Sequence, residues 1–181
     1  MTIQSSIFDS KAIGAEIYRI AVEPAESEPA LGTILALHGL GDHIHCHEEA
    51  FRIFTEKGYR IEGFDWPGNG KSAGKRGDIP GVNQAIDLLH EFIDSMQEKP
   101  TAIYAHSTGG FLILPFLVDY QPEHPELDWL WLSSPLLRPT NKQPQIKIAL
   151  LVFLAKHFPE LTLPTGVRPS QCFHVLSLIH I

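Results

Sequence analysis

The sequence contains few cysteines and few basic residues. Cys46 and Cys172 are its only 2 cysteines, and they are far apart and follow no spacing pattern. This favours free thiols in a reducing compartment over a disulfide framework. Lys and Arg number 14 against 21 Asp and Glu, which gives a formal net charge of -7. Because the basic residues are also scattered, we expect no nucleic-acid partner.

Long hydrophobic runs are missing as well. The longest, IKIALLVFLA at residues 146–155, includes Lys147 and is too short to cross a bilayer. The N-terminus has no basic region followed by an apolar run, so no signal peptide is predicted. With 44% hydrophobic and 19% charged residues, the composition is typical of a soluble globular domain, and we expect a cytoplasmic protein.

The hydrophobic pattern switches repeatedly between strand and helix. Strands are predicted at residues 16–22, 33–37, 59–64, 101–105 and 127–134, and helices at residues 48–57, 82–96 and 109–120. Residues 82–96 are the clearest helix, because apolar side chains recur there at helical spacing with acidic residues among them. Strands that alternate with helices indicate an α/β protein with a mostly parallel sheet and helices on both faces.

Three loops that follow predicted strands are rich in glycine: HGLGDH, DWPGNGKSAG and HSTGG. The third has the order of a nucleophile elbow, in which a strand, a sharp turn and a helix expose one serine, here Ser107. Small residues are needed two positions before and after that serine so that the backbones can approach, and Ala105 and Gly109 stand there. The usual first residue is glycine, so Ala105 adds one methyl group. An ordinary turn serine is the alternative interpretation.

The segments LHGLGDH, GFDWPGNGKSAGKRGDI, AHSTGG and LSSPLLRP occur in the order and at the spacings of a known family. Over roughly residues 15–170 the chain resembles serine hydrolases of the α/β-hydrolase fold. Within them it is most similar to the monoacylglycerol lipase and lysophospholipase-like branch, also grouped as serine aminopeptidase S33-like.

The resemblance implies a reaction and its residues. Ser107 would be the nucleophile, and the backbone N–H groups of Leu40 and Thr108 would stabilise the oxyanion. The substrate would be a small-molecule carboxylic ester or lipid, such as a monoacylglycerol or lysophospholipid, cleaved through an acyl-enzyme without a cofactor. Another hydrolase of this fold, such as an aminopeptidase or thioesterase, and a non-catalytic binding module are the alternatives.

Several histidines are expected to have no part in this chemistry. His106 adjoins Ser107, but successive residues in an extended turn point to opposite sides, so we expect it to pack beneath the elbow. His43, His45 and His47 in DHIHCHEE could suggest zinc. Alternate residues share a face only in a strand, however, and this segment leads into a helix, which favours a solvated loop without a metal. GNGKS is not a phosphate-binding loop, because Asp65 stands where that motif requires glycine.

The pattern changes after residue 139. A helix that is apolar almost all round lies between proline-bearing turns and resembles the start of the family's cap, which would shield an acyl pocket and could contact a membrane surface. A buried core helix is the alternative. We therefore predict the N-terminal part of the hydrolase core at residues 1–139 and the start of a cap at residues 140–175.

The last residues, LSLIHI at 176–181, correspond to a transposon end used in DNA library preparation, which predicts a non-native tail. In α/β hydrolases the acid and the histidine of the triad follow the serine, on loops after later strands. The resemblance therefore implies a chain that lacks the last strands and helices of the fold together with its acid and base, and that is inactive by itself. Asp119, Asp128, His174 and His180 are poor substitutes for them. The sequence does not indicate an oligomeric state.

Overall fold

The computed structural model describes residues 2–24, 29–79, 81–120, 126–137 and 144–158. Contacts divide the chain into two units, residues 1–138 and 139–181, and each is described by itself. The predicted boundaries between core, cap and tail stay predictions, and residues 159–181 lie outside the described part of the chain.

A six-stranded sheet forms the centre of the first unit, with strands in the order β1-β2-β4-β3-β5-β6 among the described residues. The strands are β1 (Thr2–Ser10), β2 (Ala15–Glu23), β3 (Gly32–Leu37), β4 (Tyr59–Phe64), β5 (Ala102–His106) and β6 (Trp129–Ser133). Strands β4, β3, β5 and β6 are parallel, whereas β1 and β2 pair antiparallel with each other and β2 pairs antiparallel with β4. The predicted mostly parallel α/β sheet is confirmed.

Helices cover both faces of this sheet. They are α1 (Glu48–Glu56), preceded by a 3-10 turn at Ile44–His47, α2 (Val82–Asp94) and α3 (Thr108–Tyr120). Alternate residues of β3 point to opposite faces: Ile34 and Ala36 pack with the residues of α1, and Leu35 and Leu37 pack with those of α2 and α3. Burial on both faces explains why β3 is an unbroken apolar run in the sequence.

Strand β1 was not predicted. It lies at the edge of the sheet, and most of its side chains are exposed on both faces, so it lacks the alternation that marks a half-buried strand. Pairing with β2 in register from Thr2↔Glu23 to Ser10↔Ala15 defines it instead. Its end is attached to α2 through the Ser10 hydroxyl, which donates to Glu91 Oε2 at 2.6 Å.

In the second unit, the described residues contain helix α4 (Gln145–His157). A helix here agrees with the sequence analysis, but its apolar side chains, such as Ile146 and Val152, are exposed. Its assignment to a cap stays a prediction. Among all the helices described, none is long and apolar enough to cross a membrane.

Candidate active site

The three glycine-rich loops lie at the same end of the sheet, because they follow the carboxyl ends of the neighbouring parallel strands β3, β4 and β5. We name them the 38–43 loop, the 65–79 loop and the elbow, residues 106–108. Ligands of open α/β sheets bind beyond the carboxyl ends of the strands, so these loops define the candidate site.

Ser107 adopts a backbone conformation that non-glycine residues rarely use. Its φ of 49° lies in the left-handed region, which costs an L-residue roughly 1–2 kcal/mol. Hydrogen bonds hold it there: the Ser107 N–H donates to the Ser133 carbonyl at 2.9 Å, and the Ser107 carbonyl accepts from Phe111 at 3.2 Å and Leu136 at 3.0 Å. Neighbouring elements therefore impose the sharp turn between β5 and α3.

The 38–43 loop and helix α3 approach the elbow so closely that only glycine fits at the contacts. A Cβ atom on Gly39 would lie 2.9 Å from the Ser107 Cβ, and one on Gly109 would lie 2.6 Å from the His38 carbonyl oxygen. Both distances are shorter than a carbon atom tolerates. The structure thus places the loop that contains Leu40 directly beside Ser107.

Two of the predicted site residues are backbone donors. Leu40 lies in the turn after β3 with an exposed side chain, and Thr108 is the first residue of α3. Within the described residues, neither N–H group donates to a protein acceptor. Both N–H groups can therefore donate to an additional acceptor.

His38 has a structural place in this site. It is fully buried, its Nε2 accepts the Trp66 N–H at 2.9 Å, and its Nδ1 therefore carries the proton, which it donates to the Gly39 carbonyl at 2.7 Å. Burial lowers the pKa of His38 and outweighs the opposing hydrogen bond to Gly39 and the charge of Asp65. His38 is thus a neutral histidine whose ring nitrogens connect the ends of β3 and β4.

Asp65 was missed as a site residue, although it holds two of the loops. Its fully buried carboxylate accepts the Ile44 N–H at 2.7 Å and the Lys71 N–H at 2.8 Å. Gly70, with a φ of 47°, is pressed against the same carboxylate and has no room for a Cβ. A polar residue directly after a buried strand was the available signal. Lys71, the lysine of GNGKS, has its Nζ over the Tyr18 ring at 4.6 Å, and is not arranged as the lysine of a phosphate-binding loop would be.

The expectation of a solvated histidine loop is wrong for two of its three histidines. His43 is exposed, but His45 and His47 are partly buried, because the segment forms a 3-10 turn rather than an open loop. The His45 ring contacts the Tyr18 hydroxyl at 2.9 Å, and the His47 ring contacts the Tyr104 hydroxyl at 3.0 Å. The described residues include no cluster of three or more side chains with the geometry of a metal site.

His106 is half-buried and faces β6. Its Nδ1 lies 3.2 Å from the Ser133 Oγ, and burial, with the nearby His47, lowers its pKa. In the described part of the chain, no histidine forms a hydrogen bond with the Ser107 hydroxyl. The described residues therefore place the 38–43 loop and the first turn of α3 beside Ser107, with no histidine among them bound to its hydroxyl.

A mostly parallel sheet covered by helices on both faces, with a left-handed serine at the turn from β5 to α3, defines the class of this protein: it has the α/β-hydrolase fold. The sequence model of the serine aminopeptidase, S33, family matches residues 28–178. The chain belongs to this family of hydrolases.

Individual proteins agree with this assignment. An uncharacterized abhydrolase domain-containing protein of Dictyostelium discoideum is 30% identical over 141 residues, which are 77% of this chain and 15% of that protein. The crystal structure of a monoacylglycerol lipase from Paleococcus ferrophilus is similar with a TM-score of 0.71 and 28% identity, covering 91% of this chain and 62% of the lipase.

A soluble variant of the monoglyceride lipase of Saccharomyces cerevisiae, in complex with a substrate analog, has the same fold with a TM-score of 0.71 at 20% identity. The match covers 92% of this chain and 57% of the yeast structure. The chain thus spans less than two thirds of the length of each of these three proteins.

Proposed function

We propose that Ser107 is the nucleophile of an enzyme that hydrolyses carboxylic esters of the monoacylglycerol or lysophospholipid type through an acyl-enzyme. The observation that supports this most directly is the φ of 49° at Ser107, in a turn against which the 38–43 loop is packed. Left-handed non-glycine residues are retained where the surroundings over-determine them, and such residues cluster at active sites.

In the proposed reaction, the Ser107 oxygen bonds to the ester carbonyl carbon while its proton passes to a general base. The carbonyl oxygen becomes an oxyanion, which the N–H groups of Leu40 and Thr108 stabilise. Collapse of this intermediate breaks the ester bond, and the base returns the proton to the departing alcohol. Water then attacks the acyl-enzyme with the same base, releasing the fatty acid and restoring Ser107.

Apolar side chains around the elbow favour an acyl substrate over a peptide. Leu40, Phe111 and Leu136 have large, exposed side chains. Backbone contacts or hydrogen bonds place each of them close to Ser107. Leu40 follows Gly39, which contacts Ser107, and the N–H groups of Phe111 and Leu136 both donate to the Ser107 carbonyl. The similarity to a monoacylglycerol lipase at 28% identity supports the same substrate class.

We place the general base and its acid partner outside the described residues. The nearest described histidine in sequence, His106, is engaged with Ser133, and the unprotonated Nε2 of His38 already accepts the Trp66 N–H. The parent protein is thus proposed to supply both residues after residue 175. Losing the base can reduce kcat by about 10⁶, so we expect the 181-residue chain to turn over ester negligibly.

The test compares the 181-residue chain with the genomic protein, which is the product of the complete reading frame in genomic DNA. A fluorophosphonate probe, read by peptide mass spectrometry, should label the genomic protein at Ser107, and Ser107→Ala should abolish both labelling and turnover of p-nitrophenyl esters. Ser134→Ala is the matched control, because Ser134 also has a left-handed φ, 47°.

Labelling that survives Ser107→Ala, or that is lost in Ser134→Ala, would overturn the nucleophile assignment. Monoacylglycerol, aminoacyl-arylamide and acyl-thioester substrates assayed side by side would distinguish a lipase from an aminopeptidase or a thioesterase. A genomic protein that is not labelled and has neither acid nor base would instead be a binding module.

A further inference from the structure

A line of hydrogen bonds connects the 38–43 loop with strand β5, beneath the elbow. The Asp42 Oδ2 lies 2.7 Å from the His47 Nε2, and the His47 Nδ1 lies 3.0 Å from the Tyr104 hydroxyl. Asp42 also binds its own loop: its Oδ1 accepts the His43 N–H at 2.8 Å, and its Oδ2 accepts the Gly39 N–H at 3.5 Å. One carboxylate therefore holds both ends of the turn that contains Leu40.

The charge of Asp42 sets the direction of the hydrogen bonds that end on its carboxylate. Burial alone would raise the pKa of Asp42, but hydrogen bonds from His47 and Cys46 hold it well below its usual range. The ionised carboxylate only accepts, so the His47 Nε2 carries the proton and donates it. The His47 Nδ1 contacts the hydroxyl of Tyr104, whose side chain is almost fully buried. The line is thereby anchored in the core.

Leu40 lies in the middle of the segment that this line holds. Gly39 on one side is bound to Asp42, and Gly41 on the other side donates its N–H to Asn69 Oδ1 at 3.3 Å. The Leu40 N–H between them has no acceptor among the residues described. A peptide plane is rigid, so holding both neighbours limits the directions in which this N–H can point.

A second tyrosine–histidine–carboxylate group lies on the same segment, but none of its hydrogen bonds reaches the 38–43 loop. The Tyr18 hydroxyl lies 2.9 Å from the His45 Nε2, and the His45 Nδ1 lies 2.7 Å from Glu48 Oε1. Glu48 starts helix α1, and its side chain is 45% exposed, against 20% for Asp42. The chain therefore contains an internal control, a tyrosine–histidine–carboxylate group without a hydrogen bond to the 38–43 loop.

We propose that Asp42, held by His47 and Tyr104, is a positioning residue that presets the Leu40 N–H toward the oxyanion formed at Ser107. This inference rests on the proposed function. Asp42 is not proposed to contact the substrate. Its role is to fix the orientation of the Leu40 N–H before the reaction begins. Preset donors need no reorganisation when charge develops, which is the main reason that they accelerate the chemical step.

The kinetic test uses the genomic protein and measures kcat and KM for a p-nitrophenyl ester. Asp42→Ala should lower kcat roughly 10- to 100-fold with KM changed less than about threefold, because a displaced donor weakens the transition state more than ground-state binding. Asp42→Asn should give an intermediate loss, since the amide oxygen can still accept one backbone N–H. Glu48→Gln, the matched control, should retain wild-type kinetics.

A structural test uses the 181-residue chain and does not depend on catalysis. Amide hydrogen exchange at His43 should be faster in Asp42→Ala and unchanged in Glu48→Gln. Should Asp42→Ala fail to fold, Asp42→Asn replaces it in the kinetic test.

Different results would overturn the two proposals. Without Ser107-dependent turnover in the wild-type protein, the proposed function fails and this inference fails with it. In an active wild-type protein, the inference alone fails if Asp42→Asn keeps wild-type kcat, if Glu48→Gln loses as much, or if only KM changes. Unchanged exchange at His43 in a folded Asp42→Ala protein would equally overturn it.

Discussion

Replacing Asp65 should loosen two loops of the site at once. The side chain is fully buried, and its two oxygens each accept one backbone N–H, from Ile44 at 2.7 Å and from Lys71 at 2.8 Å. Ile44 begins the 3-10 turn directly after the 38–43 loop, and Lys71 belongs to the 65–79 loop. In Asp65→Ala both donors lose their acceptor at a fully buried position, where an unpaired N–H group is costly.

The expected cost follows from these two bonds. A hydrogen bond to a charged group contributes about 1.5–3 kcal/mol, so losing both should cost roughly 3–6 kcal/mol. Removing the buried charge relieves part of its desolvation penalty, which brings the expected loss for Asp65→Ala to about 3–5 kcal/mol in the free energy of unfolding. Asp65→Asn keeps one acceptor oxygen and should lose about half as much.

Urea denaturation, followed by tryptophan fluorescence, measures these differences. Asp78→Ala is the matched control, because Asp78 is an exposed aspartate of the same loop, and it should change stability by less than about 0.5 kcal/mol. If Asp65→Ala costs less than about 1 kcal/mol, or no more than Asp78→Ala, the buried carboxylate does not hold the loops and the reasoning is refuted.

Further predictions concern glycine contacts, pH and the elbow. Gly109→Ala should destabilise the fold by more than about 2 kcal/mol in urea titrations, because its Cβ would lie 2.6 Å from the His38 carbonyl. Gly14 also has a left-handed φ, but a Cβ there would meet open space, so Gly14→Ala should lower the free energy of unfolding by only about 1 kcal/mol. Equal losses in the two variants would refute the argument that the His38 contact excludes a Cβ at Gly109. Burial lowers the pKa of His38 and His106, so the unfolded chain takes up protons near pH 6.5 that the native chain does not. Stability should therefore fall between pH 7.5 and 5.5, by at most about 1.4 kcal/mol per unit for each group, and a rise would contradict this. Ala105→Gly should leave kcat of the genomic protein within a few fold, and a hundredfold change would show that the elbow depends on the methyl group.

Most of the elements were predictable because their signals are local. Strand β4 at Tyr59–Phe64 and helix α2 at Val82–Asp94 have the hydrophobic patterns expected of a strand and a helix packed in this sheet. Both occur where the sequence analysis expected them. Gly58, with a φ of 89°, ends α1 in the way that a glycine after a helix predicts. Strand β1 gave no such signal, because an edge strand with two exposed faces has no alternation to detect.

The sequence by itself determined the α/β class and the position of Ser107 in a strand–turn–helix segment, because a period of hydrophobicity and a run of small residues are both read over neighbouring positions. The tertiary structure alone decided that Asp42, His47 and Tyr104 form one line of hydrogen bonds, since His47 and Tyr104 are 57 positions apart. It also decided that Gly39 contacts Ser107 and that the Asp65 carboxylate joins two loops. Such contacts depend on which strands become neighbours in the sheet, and that pairing is a property of the whole fold.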